Sequence, residues 1–142
     1  MKRTLAAGAL SALTLTLAAC GGDGEEGTAP DARTYGSMSE WKEAVGGTGL
    51  GCEWLSSTTA PSEVDEYATC TDKYGARASL ATFSSEGWKN QRINQFRNQQ
   101  SWAEEAPAMV DGPGWTVDCA NEAQAQRWID AIGGQLRLAP NY

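Results

Sequence analysis

The sequence predicts an α+β fold built on an antiparallel sheet, and three observations carry that expectation. Short apolar runs alternate with a period of two, as in Ala76 to Phe83 and Trp115 to Cys119. Pairs of such runs flank turn-forming tetrapeptides, Asp72-Lys73-Tyr74-Gly75 and Asp111-Gly112-Pro113-Gly114, so they read as hairpins. Before, between and after these hairpins lie three one-sided segments of helical period, each opened by a capping residue. The expected order is α-β-β-β-α-β-β-α-β, with the helices packed on one face of the sheet. Its last six elements, Ala76 to Ala139, follow the β-α-β-β-α-β succession of ferredoxin-like folds. A less regular α+β sandwich is the alternative.

Taken in order, Ser37-Met38-Ser39-Glu40 has capping-box spacing, and Met38, Trp41 and Val45 form an apolar stripe. A helix over about 38–46 follows, with Gly46-Gly47 expected to supply a left-handed stop. Leu50 to Leu55 and Tyr67 to Thr71 read as paired strands, and Ala76 to Phe83 as a third. Ser84 or Ser85 caps a second helix through about Gln99, with Trp88, Ile93 and Phe96 as its apolar side and amides over most of its girth. Ser101 to Pro107 reads as a loop, and Ala108 to Val110 and Trp115 to Cys119 as a hairpin. In the last helix Asn121 caps, Gln124 follows three residues on, and Ala125, Trp128, Ile129 and Ile132 make the stripe before Gly133-Gly134. Leu136 and Leu138 alternate in a final strand. Trp41-Lys-Glu-Ala-Val-Gly-Gly47 and Trp128-Ile-Asp-Ala-Ile-Gly-Gly134 match closely enough to suggest that each Trp plugs a helix end onto the sheet.

The chain has 142 residues and no histidine, which removes Ser-His and Cys-His nucleophilic machinery, histidine general bases and the usual zinc sites. Cysteines stand at 20, 52, 70 and 119. Cys52 and Cys70 are the better disulfide pair, because a hairpin centred near Pro61 sets them opposite each other. Cys119 is then a buried free thiol, and Cys70 with Cys119 is the alternative pair.

The N-terminus carries Lys2 and Arg3, then an apolar run from Leu5, and ends in Leu17-Ala18-Ala19-Cys20. The first 19 residues have the organisation of a secretory signal peptide, and the 15 from Leu5 to Ala19 fall short of the roughly 20 apolar residues a spanning helix needs; an uncleaved anchor is the alternative. Leu17 to Cys20 resembles the lipobox of bacterial lipoproteins, and the chain as a whole resembles the small lipoproteins of high-GC Gram-positive bacteria. That resemblance is loose from Val110 to Leu136 and carries no catalytic residue. It implies a diacylglyceryl-type lipid on Cys20, a membrane partner through that anchor, and display on the extracytoplasmic side of the cell membrane. Residues 20–35 are Gly- and acid-rich and read as the lipidated cysteine and a flexible tether, with 36–142 as one globular domain. Without residues 1–19 the chain has 9 basic and 18 acidic residues, a balance that disfavours nucleic acid.

Glu63, Asp65, Glu66 and Asp72 match no metal loop or paired-acid motif and read as a solvated acidic loop; no metal or cofactor is expected. Tyr74, Trp102 and Tyr142 are candidate stacking aromatics, although Trp41, Trp88, Trp115 and Trp128 take core positions. Lys89, Arg92 and Arg97, without an acid between them, make the amide-rich helix a candidate binding face together with Trp102. The expected function is therefore non-enzymatic binding of a protein or envelope component. A carboxylate-dependent, glycan-acting envelope enzyme and an inhibitor or immunity-type lipoprotein are the alternatives; convergence of two carboxyl groups roughly 5–10 Å apart in a cleft would favour the enzyme.

Overall fold

Hairpin turns at residues 72–76 and 112–115 set the sheet, because each joins strands whose period-two pattern matches its partner's. The computed structural model describes residues 30–55 and 59–140. The elements are α1 (Met38–Gly46), β1 (Glu53–Trp54), β2 (Glu66–Thr71), β3 (Arg77–Thr82), α2 (Glu86–Asn98), α3 (Gln100–Glu105), β4 (Ala108–Gly112), β5 (Trp115–Cys119), α4 (Glu122–Ile132) and β6 (Gln135–Leu138). The fold is α+β as expected, with the expected element order; the short α3 occupies part of the stretch read as a loop. All six strands join one antiparallel sheet in the order β1-β2-β3-β5-β4-β6.

Two finer expectations change for one topological reason. As in a ferredoxin-like unit, β5 lies between the parallel strands β3 and β4. In such a unit the closing strand returns beside the first, but here that edge is taken by β2, and β6 pairs with β4 instead. Both crossovers, β3 to β4 and β5 to β6, then step the same way from oppositely directed strands. Crossovers of one hand under those conditions place their helices on opposite faces. Accordingly α1 and α4 cover one face, while α2 covers the other.

The two faces differ in chemistry. Under α1 and α4, Ala68, Cys70, Ala78, Leu80, Val110 and Val117 meet Trp41, Trp115 and Trp128 in one buried cluster. Trp41 stands edge-on to Trp115 at 5.4 Å and tilted to Trp128 at 5.7 Å, arrangements that add about 0.5–1.5 kcal/mol per pair to the area buried. Under α2 the apolar contact is small, Ile93 and Phe96 on Met109 and Ala139. The intervening strand residues there are polar: Thr69, Ser79, Asp111, Thr116 and Asp118.

The caps are those the sequence indicates. Ser37 Oγ accepts from Glu40 N while Glu40 Oε2 accepts from Gly36 N, and Asn121 Oδ1 accepts from Gln124 N. The two Trp-to-Gly-Gly segments end differently, however. Gly47 has φ −77° and is no left-handed stop, whereas Gly133 (φ 77°) and Gly134 (φ 106°) both lie in glycine's region.

Residues 30–35, assigned by composition to the flexible tether, depart from that expectation. Ala32 and Tyr35 pack on the Trp cluster, and the Arg33 carbonyl accepts from Trp115 Nε1 at 2.8 Å. This strap follows the Gly133 backbone so closely that a Cβ there would lie 2.2 Å from the Pro30 carbonyl oxygen. Apolar content alone misjudged the segment, since its polar backbone is satisfied by a buried indole.

Cys52 and Cys70 form a disulfide with Cα atoms 5.4 Å apart, which by loop-closure arguments contributes about 3 kcal/mol. The alternative pair is excluded by register: Ala78 stands between Cys70 and Cys119, and two strand spacings, about 9.5 Å, exceed disulfide reach. Cys119 is a buried free thiol.

Replacing Gly114 (φ 74°, no atom near its Cβ position) with Ala is expected to cost about 1–2 kcal/mol through φ alone. Gly133→Ala adds the strap clash and should cost visibly more by urea unfolding; equal losses would show that the strap is not held there.

Candidate functional site

α2 is the element that separates structural from available polar groups. Placing 100° between successive residues, Lys89, Arg92, Ile93 and Phe96 fall on one arc, and all four are buried against the sheet. Lys89 Nζ donates to the Gly112 carbonyl at 2.9 Å and lies 3.2 Å from Asp111 Oδ1 and 3.1 Å from Glu86 Oε2. Arg92 Nη2 donates to Asp118 Oδ2 at 2.8 Å, and its Nη1 is 3.5 Å from Glu63 Oε1. Lys89 and Arg92 are therefore not members of an exposed binding face. They are counter-ions to carboxylates that β4 and β5 present on this side of the sheet.

Arg97 is exposed, as expected. Trp102 sits in α3 with its side chain outside the described residues, and Cys20 and Tyr142 lie outside them as well. Trp88 is corrected from core to surface: it stands nearly opposite the buried arc's far edge and is 47 % exposed.

Bordered by the exposed Glu86 and Arg97, an uncharged stripe faces outward on α2. Asn90-Gln91, Asn94-Gln95 and Asn98-Gln99 recur at four-residue spacing and line a shallow groove of about 490 Å³ with Gly87. Trp88, Gln91, Gln95 and Gln99, spaced three and then four residues apart, form one ridge of it. The result is a row of amide donors and acceptors ending in an exposed indole.

The carboxylates are placed differently. Of the acidic group read as a solvated loop, Asp65 and Glu66 are exposed, with Glu66 Oε2 accepting from Met38 N at the start of α1. Glu63 turns onto Arg92, and Asp72 is buried. Asp72 Oδ1 accepts from Tyr74 N (2.9 Å) and Ala76 N (3.0 Å), and Oδ2 from Gln124 Nε2 (3.1 Å) and Arg127 Nη2 (3.3 Å). Burial pushes its carboxyl upward, but these four donors outweigh that and hold it below its ordinary value. Burial raises Asp118, against the pull of Arg92. Burial, followed by the charges of Asp118 and Asp72, raises the Cys119 thiol and so disfavours the thiolate.

Glu63 and Asp118 do converge, but on one guanidinium that occupies the gap a sugar or water would need. Asp111 is likewise held between Lys89 and Arg137, whose Nη2 is 2.9 Å away. Among the described residues, no group of three or more His, Cys, Asp or Glu side chains is placed to hold a metal ion, and no helix is long and apolar enough to cross a membrane. Asp111 and Asp118 were not singled out from sequence. Their signal was present, since alternation in Trp115-Thr-Val-Asp-Cys119 sets Asp118 opposite Trp115, Val117 and Cys119.

No family model, curated protein or solved structure matches this chain.

Because Asp72 titrates below 3.8 when folded, the unfolded chain binds more protons just under that pH, and stability falls as the medium is acidified through the lowered value. Asp72→Asn should flatten that acid limb relative to wild type and cost about 2 kcal/mol at pH 7. An unchanged acid limb in urea titrations from pH 2 to about pH 7 would contradict the Asp72 network.

Proposed function

We propose that this chain is a lipid-anchored, extracytoplasmic binding module that contacts an uncharged, hydroxyl-rich envelope glycan through the outer face of α2. The observation that carries the reading is the inward turn of Lys89 and Arg92, which leaves Asn90, Gln91, Asn94, Gln95, Asn98 and Gln99 as a neutral amide stripe beside the exposed Trp88. Planar amides exchange paired hydrogen bonds with hydroxyl groups, and an indole offers a flat apolar face for a sugar ring. Binding, not hydrolysis, is favoured because the converging carboxylates are closed off by cations.

The anchor belongs to the same reading and rests on Leu17 to Cys20. With the strap beginning at Pro30, ten residue steps separate the lipidated cysteine from the folded domain, a reach of at most about 35 Å. The domain would then stand close to the bilayer, with the β4–β5 turn and Gly133-Gly134, which adjoin Pro30, at its membrane-side end.

Two measurements test this. Metabolic labelling with a palmitate analogue should mark the wild-type chain and not Cys20→Ser. Retention of the full chain on isolated envelope glycan should fall about tenfold when Trp88→Ala is combined with Gln91→Ala and Gln95→Ala, and stay near wild type for Arg97→Glu. Retention that ignores the triple substitution would overturn the α2 face, whether or not the lipid is present.

A further inference from the structure

At the end of the sheet opposite the strap, a second site is built around Asp72. The loop after α1 docks on the β2–β3 turn: Lys73 N donates to the Leu50 carbonyl at 3.1 Å, and Gly51 (φ 64°) lies so near Lys73 that an added Cβ would be 3.0 Å from the lysine Cβ. Between this loop, the turn and α4 is a cleft of about 470 Å³ whose walls include Thr48, Gly49, Leu50, Tyr74, Arg127 and Ala131.

Asp72 fixes the polar half of that cleft. Its two oxygens take Tyr74 N and Arg127 Nη2, so one buried carboxylate positions both an aromatic ring and a guanidinium. The Arg127 Cζ lies 4.4 Å from the Tyr74 ring centroid, and the Lys73 Nζ lies 5.3 Å from it. Tyr74 is nevertheless 62 % exposed, and Arg127 Nε is buried without a hydrogen-bond partner among the described residues. On a chain of net charge −7, Lys73 and Arg127 stand here against Asp72 and Asp130, so the cleft is balanced where the chain as a whole is acidic.

We infer that this cleft binds a small ligand in which a flat ring carries an oxyanion, carboxylate or phosphate. The ring lies on Tyr74 against the apolar wall of Leu50 and Ala131, and the oxyanion faces Lys73 and Arg127. Asp130, the acid on this cleft, accepts from Gln126 Nε2 at 2.9 Å and opposes the anion, which sets the ligand's orientation and lowers its affinity. The site is distinct from the α2 face and does not depend on it or on the lipid.

The test is a ¹H–¹⁵N NMR titration of the full chain, kept in detergent, with four probes: benzoate, adenosine 5′-monophosphate, benzyl alcohol and inorganic phosphate. Benzoate and the nucleotide should give saturable shifts at Thr48, Gly49 and Tyr74. Benzyl alcohol and phosphate, each lacking half of the recognised group, should bind about tenfold more weakly or not at all. Which of the first two is tighter identifies the oxyanion. Tyr74→Leu and Lys73→Gln, both at exposed side chains, should each weaken binding about fivefold, and Asp130→Asn should tighten it. No saturable shift from either ring-bearing anion up to about 10 mM, or binding that Tyr74→Leu leaves intact, overturns the site.

Discussion

The ion pairs beneath α2 constrain the rest of the molecule. β4 and β5 send Asp111 and Asp118 to the face opposite the Trp cluster, and a carboxylate in that position costs several kcal/mol unless a cation meets it. α2 supplies Lys89 and Arg92 three residues apart, and this fixes both its rotation and its register over the sheet. The apolar contact of Ile93 and Phe96 with Met109 and Ala139 lies on the same arc and supports the same orientation. Once Lys89 and Arg92 are committed inward, geometry decides what faces solvent: three Asn-Gln pairs and Trp88, bordered by the exposed Arg97.

The contrast between the two sheet faces has its origin in connectivity. The β1–β2 hairpin occupies the edge beside β3, so β6 closes the other edge, and the two crossovers must put α2 and α4 on opposite sides. One face can then be largely apolar, sealed by Trp41, Trp115 and Trp128 and by the strap over residues 30–35, with Asp72 and Gln124 as a buried polar pair at its end. The other is a thin layer of charge and small residues. A disulfide at Cys52–Cys70 holds the short β1 at its edge, where two paired residues would give little stability by themselves.

Much of this was legible in the sequence, for identifiable reasons. Caps at Ser37, Ser85 and Asn121, strand alternation from Arg77 and from Trp115, and the Cys52–Cys70 pairing are local signals, and each appears where expected. What failed was long-range or cumulative. Grouping Trp88 with Ile93 and Phe96 ignored that it lies about 90° from the centre of the buried arc. Counting Lys89 and Arg92 as surface charge ignored the carboxylates that alternation places beneath them. Strand order, which removed the ferredoxin-like closure and the shared helix face, depends on which edge is already occupied, and no local pattern encodes that. Asp72 resembled any turn aspartate until Gln124 and Arg127, more than fifty residues away, were brought onto it.

The molecule is therefore polarised along its strands, with the strap and the glycines that admit it at one end and the Asp72-centred turn at the other. The amide stripe of α2 runs between them. Everything assigned to α2 depends on its cations being structural, and a double-mutant cycle on Arg92→Met and Asp118→Leu measures that most directly. Each single substitution should destabilise the domain, and the pair together should recover about 2 kcal/mol of the summed loss, because the double variant removes the guanidinium together with the Asp118 carboxylate and leaves only Glu63 without its cation. Single losses that simply add, within about 0.5 kcal/mol, would contradict the pairing and with it the neutrality of the outer face.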